Sequence, residues 1–379
     1  MGALPRYRHG MSEIRPFHLD VPQSQLDDLH ARIDLTRWPD ELPGVGWSYG
    51  IPLGYVQELT RYWRTSYDWR AHEKLLNELG QFTTEIDGQR IYFLHVRAAD
   101  DDALPLILTH GWPGSVVEFL PVLEALSARH HLVIPAIPGY GFSGPTTDTG
   151  WDVPRIARAF AELMRRLGYD RYGAQGGDWG SVISRQLGVD DAAHVAGVHV
   201  NMLGTAPSGN PAELDELSLA DKERLGRRER YQRELSGYMK LQSTRPQTLA
   251  YALHDSPVGQ LAWIVERFQE WTDSNGTPED AVDRDLMLTN VMIYWLTGTA
   301  GSSARLYRES ARSWGRQPGL DVPMGVAVFP HDIVLPVRRL AERDNNIVRW
   351  TEFDRGGHFA AMEEPDLFAE DVLAFFASL

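Results

Sequence analysis

Apolar residues recur along this chain in three successive rhythms. Up to about residue 90 they fall mostly at helical spacing. After Val21-Pro22, Leu26, Leu29 and Ile33 share one face of a predicted helix, with Ser24 as its expected cap. Tyr55, Leu59, Tyr62 and Trp63 mark a second helix over about 53–63. Phe82–Phe93 alternates instead, as two runs flanking Asp87-Gly88, a strong short-range signal for a hairpin turn.

From about 104, short continuous apolar runs exchange with helical stretches. Residues 104–109, 131–137 and 171–175 read as strands covered on both faces; 116–126, 153–167 and 181–188 read as helices. That alternation predicts a parallel sheet between two helical layers. Residues 205–318 interrupt it with a helical region rich in charge and aromatics, between Pro207-Ser208-Gly209-Asn210-Pro211 and Gly315-Arg316-Gln317-Pro318-Gly319. Strands resume over 324–329 and 348–353, and a helix over 367–376 closes the chain. The expected organisation is an N-terminal segment (1–93), an α/β core in two parts (94–204 and 319–379) and a helical cap between them (205–318). Internal repeats and low-complexity tracts are not seen.

Composition narrows the function. The 379 residues are 43% hydrophobic, ordinary for a globular protein with a sizeable core. With 37 basic against 52 acidic residues, a net charge of −15 argues against nonspecific binding to nucleic acid or anionic lipid. The absence of cysteine excludes disulfides, thiolate nucleophiles and cysteine-based metal centres. The longest apolar runs are far below the ~18 residues of a membrane span, and Met1–Arg6 has no apolar signal region. A cytoplasmic protein without a membrane partner is expected.

The sharpest chemical signal is Gln175-Gly176-Gly177-Asp178-Trp179-Gly180-Ser181, between a strand and a helix. This is the context of a nucleophile elbow, where glycines permit a tight turn that lifts one side chain above the sheet. That side chain is Asp178, where acyl hydrolases carry serine. Serine needs a base and attacks acyl carbon. An aspartate arrives ionised and can attack saturated carbon directly, leaving an alkyl ester on the enzyme. An aspartate here could also simply cap the following helix.

Two further segments complete a constellation. Thr109-His110-Gly111-Trp112-Pro113-Gly114-Ser115 follows the first core strand. The backbone N–H groups of Trp112 and Trp179 are the expected oxyanion hole. His358, in Arg355-Gly356-Gly357-His358-Phe359, follows the last strand. Its place downstream of both other parts matches the nucleophile–acid–histidine order of the α/β-hydrolase fold, and it could act as general base on water. Asp332, just past a strand end, is the expected acid that orients it. Asp321, Glu352 and Asp354 are rivals, and the alternative acid position after the preceding strand holds only Asn201.

On these motifs, residues from about 15 onward resemble the microsomal-type epoxide hydrolase family, including its N-terminal segment. His110-Gly111-Trp112-Pro113, Gly177-Asp178-Trp179-Gly180 and Gly356-Gly357-His358-Phe359 carry the likeness, as do Ser236-Gly237-Tyr238-Met239, Asp255-Ser256-Pro257-Val258-Gly259 and Leu288-Thr289-Asn290-Val291-Met292. The resemblance implies an α/β-hydrolase fold with a helical cap, and two cap tyrosines, Tyr238 and Tyr307, that bind the oxygen of an epoxide. It implies hydrolysis to a vicinal diol by Asp178, His358 and Asp332, with water as the second substrate. The membrane-bound members' anchor helix is missing, so the protein is expected to be soluble, and Asp332 stands where some relatives have glutamate. Self-association is left open.

Two motifs are set aside. Gly139-Tyr140-Gly141-Phe142-Ser143-Gly144 has dinucleotide-site spacing but is followed by Pro145 rather than a helix. His130-His131 and His72-Glu73 lack metal-ligand spacing. No cofactor and no metal are expected. A haloalkane dehalogenase would share the aspartate elbow, using the indole N–H groups of Trp112 and Trp179 to hold halide. An inactive hydrolase-fold binding protein would not need Asp178, Asp332 and His358 intact.

Overall fold

The computed structural model describes residues 14–311 and 318–379. Among these residues nine strands form one sheet: β1 Arg15–Pro16, β2 Gln81–Ile86, β3 Gln89–Val96, β4 Leu106–Thr109, β5 Leu132–Pro135, β6 Tyr172–Gly176, β7 Val195–Val200, β8 Leu320–Val328 and β9 Asn345–Glu352. Their spatial order is β1-β2-β3-β5-β4-β6-β7-β8-β9. The first three strands pair antiparallel, and β3 joins β5 antiparallel. From β5 to β9 every pairing is parallel. The expected parallel core is thus extended at one edge by a hairpin. Its turn residues Asp87 (φ +53°) and Gly88 (φ +74°) both adopt the left-handed geometry that suits a two-residue hairpin.

β4, β5 and β6 are buried along their whole length, which accounts for their uninterrupted apolar runs. The helices Val153–Arg166 and Asp178–Asp190 pack together, and Pro365–Phe376 packs against the segment after β4. Between β7 and β8 the described chain is helical, with the longest helices at Leu219–Arg230, Pro257–Trp271 and Arg284–Thr297. These helices sit over the C-terminal ends of the core strands. Asn290 Nδ2 donates to Pro113 O (2.6 Å) and Tyr294 Oη to Gly114 O (2.7 Å), both in the loop after β4. The N-terminal helices reach back to the same region: Tyr62 Oη donates to Asp285 (2.8 Å), and Tyr67 pairs with Thr289 (2.8 Å).

Several local expectations differ from the structure. The first helix spans Gln23–Asp34 with Leu26, Leu29 and Ile33 buried, but Ser24 lies inside its first turn and Pro22 precedes it without a side-chain cap. Proline's fixed φ suffices to enter the helix there. A helix at Trp69–Asn77, capped by Asp68 accepting from Arg70 N (2.9 Å), is too short in apolar residues to show in the pattern. Val116–Val122 winds as a 3₁₀ helix because Pro121 has no N–H to donate, and only Leu123–Ser127 is α-helical. Asp321 lies within β8 rather than before it, and the helix expected at 181–188 begins three residues earlier, at Asp178 itself.

Candidate active site

Asp178 stands at the junction of β6 and its helix with φ +48°, a left-handed conformation costly for a residue with a side chain. Close packing on both sides holds it there. A methyl group on Gly180 would lie 1.8 Å from Thr109 O, and one on Gly111 would lie 2.2 Å from Asp178 Cβ. The loop after β4 is therefore pressed against the turn, and Trp112 N donates to Asp178 Oδ1 at 2.8 Å. Trp179 sits in the first turn of the helix that Asp178 opens. His110 braces the same loop, with Nδ1 on Gly111 O (2.9 Å) and Nε2 accepting from Ile137 N (3.2 Å). Complete burial pushes its pKa down to about 4, so it is neutral.

The other oxygen of Asp178 faces His358: Oδ2 to Nε2 is 3.5 Å. On its far side, His358 Nδ1 meets Asp332 Oδ1 at 2.7 Å, and both residues are buried. His358 N donates to Trp271 O (2.8 Å), and Asp332 Oδ1 accepts from Ile333 N (2.7 Å). Arg227, from the inserted helices, clamps the acid loop by donating to Asp332 O and Pro330 O, each at 2.6 Å. Burial alone would lower the pKa of His358, but the carboxylates of Asp332 and Asp178 outweigh it and raise it to about 10. At neutral pH the ring is an imidazolium held between two carboxylates.

None of the rival acids reaches His358. Asp321 is exposed. Glu352 accepts from Arg224 (2.8 Å), and Asp354 is paired with Arg355. Asn201 accepts from Gln175 (3.0 Å) and braces the His358 backbone instead. His331, the nearest alternative base in sequence, faces Asp273 at 3.2 Å and is half exposed. The Gly139 segment makes one short 3₁₀ turn, Gly141–Ser143, and no helix follows directly. Among the described residues, no group of three His, Cys, Asp or Glu could hold a metal ion, and no helix is long and apolar enough to cross a membrane.

Above Asp178 lies an aromatic roof. The rings of Trp112 and Tyr238 stack at 5.0 Å and 9°, and Tyr307 stands edge-on to Trp179 at 4.9 Å. Tyr238 and Tyr307 are 6.0 Å apart and both buried. Burial keeps both phenols far above their usual pKa, while a hydrogen bond with Trp179 pulls Tyr307 the other way. A cavity of about 440 Å³ opens beside them, lined by Asp178, Tyr238, Tyr307, Met202, Met239 and Val334 among others. The seven residues singled out in the sequence thus surround one site.

Four further residues of the site carried no recognised signal. Trp271 supplies the carbonyl under His358 and stands edge-on to its ring at 4.9 Å. Tyr231 meets Tyr238, hydroxyl to hydroxyl, at 2.6 Å. Glu118 shares a small cavity with Asp178 and His358, and burial pushes its pKa up to about 8. Glu363, also raised to about 8 by burial, accepts from the backbone N–H groups of Asp273 and Phe359. Glu118 could have been sought for its place three residues beyond Ser115; the others become neighbours only through the fold.

Comparison with known proteins follows the same lines. Residues 14–119 match the family described as "Epoxide hydrolase N terminus", and residues 105–239 match "alpha/beta hydrolase fold". Epoxide hydrolase 1 of Sus scrofa is 35% identical over 409 residues, covering 97% of this chain and 89% of the relative. The crystal structure of juvenile hormone epoxide hydrolase from the silkworm Bombyx mori superposes with a TM-score of 0.91 at 30% identity, covering 97% of this chain and 95% of that one. Aspergillus niger epoxide hydrolase gives a TM-score of 0.88 at 34% identity, covering 98% of each chain.

Proposed function

The chain belongs to the epoxide hydrolase family, and on that premise we propose how its own residues open an epoxide. The enzyme hydrolyses a small-molecule epoxide with water. Asp178 Oδ2 attacks a ring carbon while Tyr238 and Tyr307 hydrogen-bond the departing ring oxygen, giving a hydroxyalkyl ester on Asp178. A phenol suits this task, since it donates to a developing alkoxide without ionising at neutral pH. The inserted helices act as a cap domain over residues 205–318, of which 312–317 lie outside the described residues.

The charge state of His358 then changes with the chemistry. Two carboxylates keep it protonated in the resting enzyme. Esterification removes the charge of Asp178, and with it part of what holds the proton. His358, still oriented by Asp332, gives up its proton to solvent, balancing the one that the ring alkoxide takes up to become the hydroxyl. The neutral ring then takes a proton from water as the water oxygen attacks the Asp178 carboxyl carbon. Oδ1, already 2.8 Å from Trp112 N, carries the oxyanion, with Trp179 N as the second donor. Collapse frees the carboxylate and the vicinal diol.

One observation carries the reading: a single carboxylate has one oxygen on a backbone donor and the other on a buried histidine, beneath two buried phenols. Of the two indoles a halide site would use, Trp179 is hydrogen-bonded to Tyr307 instead. The test is a single turnover in ¹⁸O-water. The first diol should take its new oxygen from the enzyme, with label entering the Asp178 carboxylate. Solvent label in the first diol would establish direct attack by water and end the covalent reading.

A further inference from the structure

We propose that Tyr231 is a positioning residue that aims the single hydroxyl proton of Tyr238 at the epoxide oxygen. The inference rests on the reading of Tyr238 as a donor to that oxygen. Tyr231 and Tyr238 are both buried, and their hydroxyl oxygens lie 2.6 Å apart. Among the described residues neither hydroxyl has another hydrogen-bond partner. Seven residues of continuous α-helix would separate the two positions by about 10 Å along the axis. The chain avoids this by winding Tyr231–Leu235 as a π-helical turn and bending at Ser236 before the helix Gly237–Thr244. The register shift brings two hydroxyls together that a regular helix would keep apart.

A phenol has one proton to give. If Tyr238 spent it on Tyr231, only lone pairs would face the substrate, and the ring oxygen would meet repulsion. With Tyr231 donating, the proton of Tyr238 is left to point into the cavity that both residues line. The bond also makes Tyr238 a stronger donor, because hydrogen bonds in a chain polarise one another. The guanidinium of Arg267 lies 5.3 Å over the Tyr238 ring, where its charge stabilises electron density gathering on the phenol oxygen. Arg267 is itself buried and held by Glu266 and Glu270, so its place is fixed. No bond to the substrate is made or broken by Tyr231; it acts through Tyr238 alone.

The test is a mutant cycle read on the two half-reactions separately, with one epoxide and rapid quenching. Tyr231→Phe should slow alkylation by about fivefold, the worth of one ordinary hydrogen bond, and leave hydrolysis of the preformed ester within about 1.5-fold. Combined with Tyr307→Phe, it should slow alkylation by the same factor again. Combined with Tyr238→Phe, it should add nothing, since the group it orients is gone. Thermal unfolding recorded alongside separates a general loss of packing, which would slow both half-reactions in every background. If Tyr238→Phe slows alkylation but Tyr231→Phe does not, or if the two effects multiply, the positioning role is overturned while the donor reading stands. If Tyr238→Phe itself leaves alkylation unchanged, the donor reading fails, and this inference falls with it.

Discussion

The floor and the roof of the cavity are built on opposite principles. The floor is polar and sits on loops at strand ends. Asp178, His358 and Asp332 each have named partners, and the turn that carries Asp178 is locked by contacts at Gly111 and Gly180. The roof is aromatic and sits mostly on helices: Tyr238, Tyr307 and Trp179, joined by Trp112 from the loop after β4, hold one another by ring contacts. Charge must be placed by backbone geometry, because a displaced carboxylate in a dry site is expensive. Neutral proton donors need only be kept dry and pointed. The difference teaches that, under the proposed mechanism, the two half-reactions draw on separate parts of the fold, and it can be broken one half at a time.

The largest effect should come from the floor. His358→Gln removes the base for water but leaves Asp178 able to attack, so ester should accumulate and appear as added mass on the intact protein. Hydrolysis should fall by about 10²–10⁴, the usual worth of a general base. Steady turnover at the parental rate would mean that another base serves, His331 being the first to examine. Next comes the roof: Tyr238→Phe and Tyr307→Phe should each slow alkylation by roughly 10- to 150-fold, for a lost hydrogen bond of about 1.5–3 kcal/mol to a charged oxygen. Hydrolysis of the ester should be nearly untouched in both. Slowing of both half-reactions together would dissolve the division between floor and roof.

A third expectation concerns pH and stability. Burial raises Glu118 to about 8, with Asp178 and Glu363 reinforcing the shift and His358 opposing it. The folded state therefore holds this proton more tightly than the unfolded chain, whose glutamate titrates near 4.5. Its contribution is present in full below 4.5 and is lost as pH rises through 8. Glu118→Gln keeps the shape and removes the titration. Denaturant unfolding at pH 5 and pH 8.5 should show the parent losing more stability than the variant, by on the order of 3 kcal/mol. Equal losses would place the carboxyl in a wetter setting than its burial implies. The smallest effect is structural. Ser256 caps the helix Pro257–Trp271, accepting from Gly259 N at 3.0 Å. Ser256→Ala should cost about 1 kcal/mol in unfolding measurements and change alkylation less than twofold.

The two regions also differ in how plainly the sequence announces them. The elbow residues Gly177-Asp178-Trp179-Gly180 form a contiguous string, because a tight turn needs its glycines as immediate neighbours. The parallel strands β4, β5 and β6 were legible as buried runs, and the hairpin as two alternating runs around Asp87-Gly88. Tyr238 and Tyr307 came from family resemblance alone, since fourteen tyrosines offer no pattern that selects two. Tyr231 gave no signal: its partner lies seven residues on, and only a π-helical turn makes them neighbours. Trp271 acts through its backbone carbonyl, which every residue possesses.

By itself the sequence determined the class of fold and nominated the nucleophile's type and place and the order of nucleophile, acid and histidine, because each depends on local spacing or chain order. It left the choice of acid among Asp332, Asp321, Glu352 and Asp354 to the fold. Tertiary structure decided that Asp332 is 2.7 Å from His358, while Glu352 is engaged by Arg224 and Asp354 by Arg355. It also set the protonation of His358 and Glu118, since burial and facing charges exist only once distant segments meet. Chain order can nominate a residue for a site; its charge and its partners depend on distances that only packing creates.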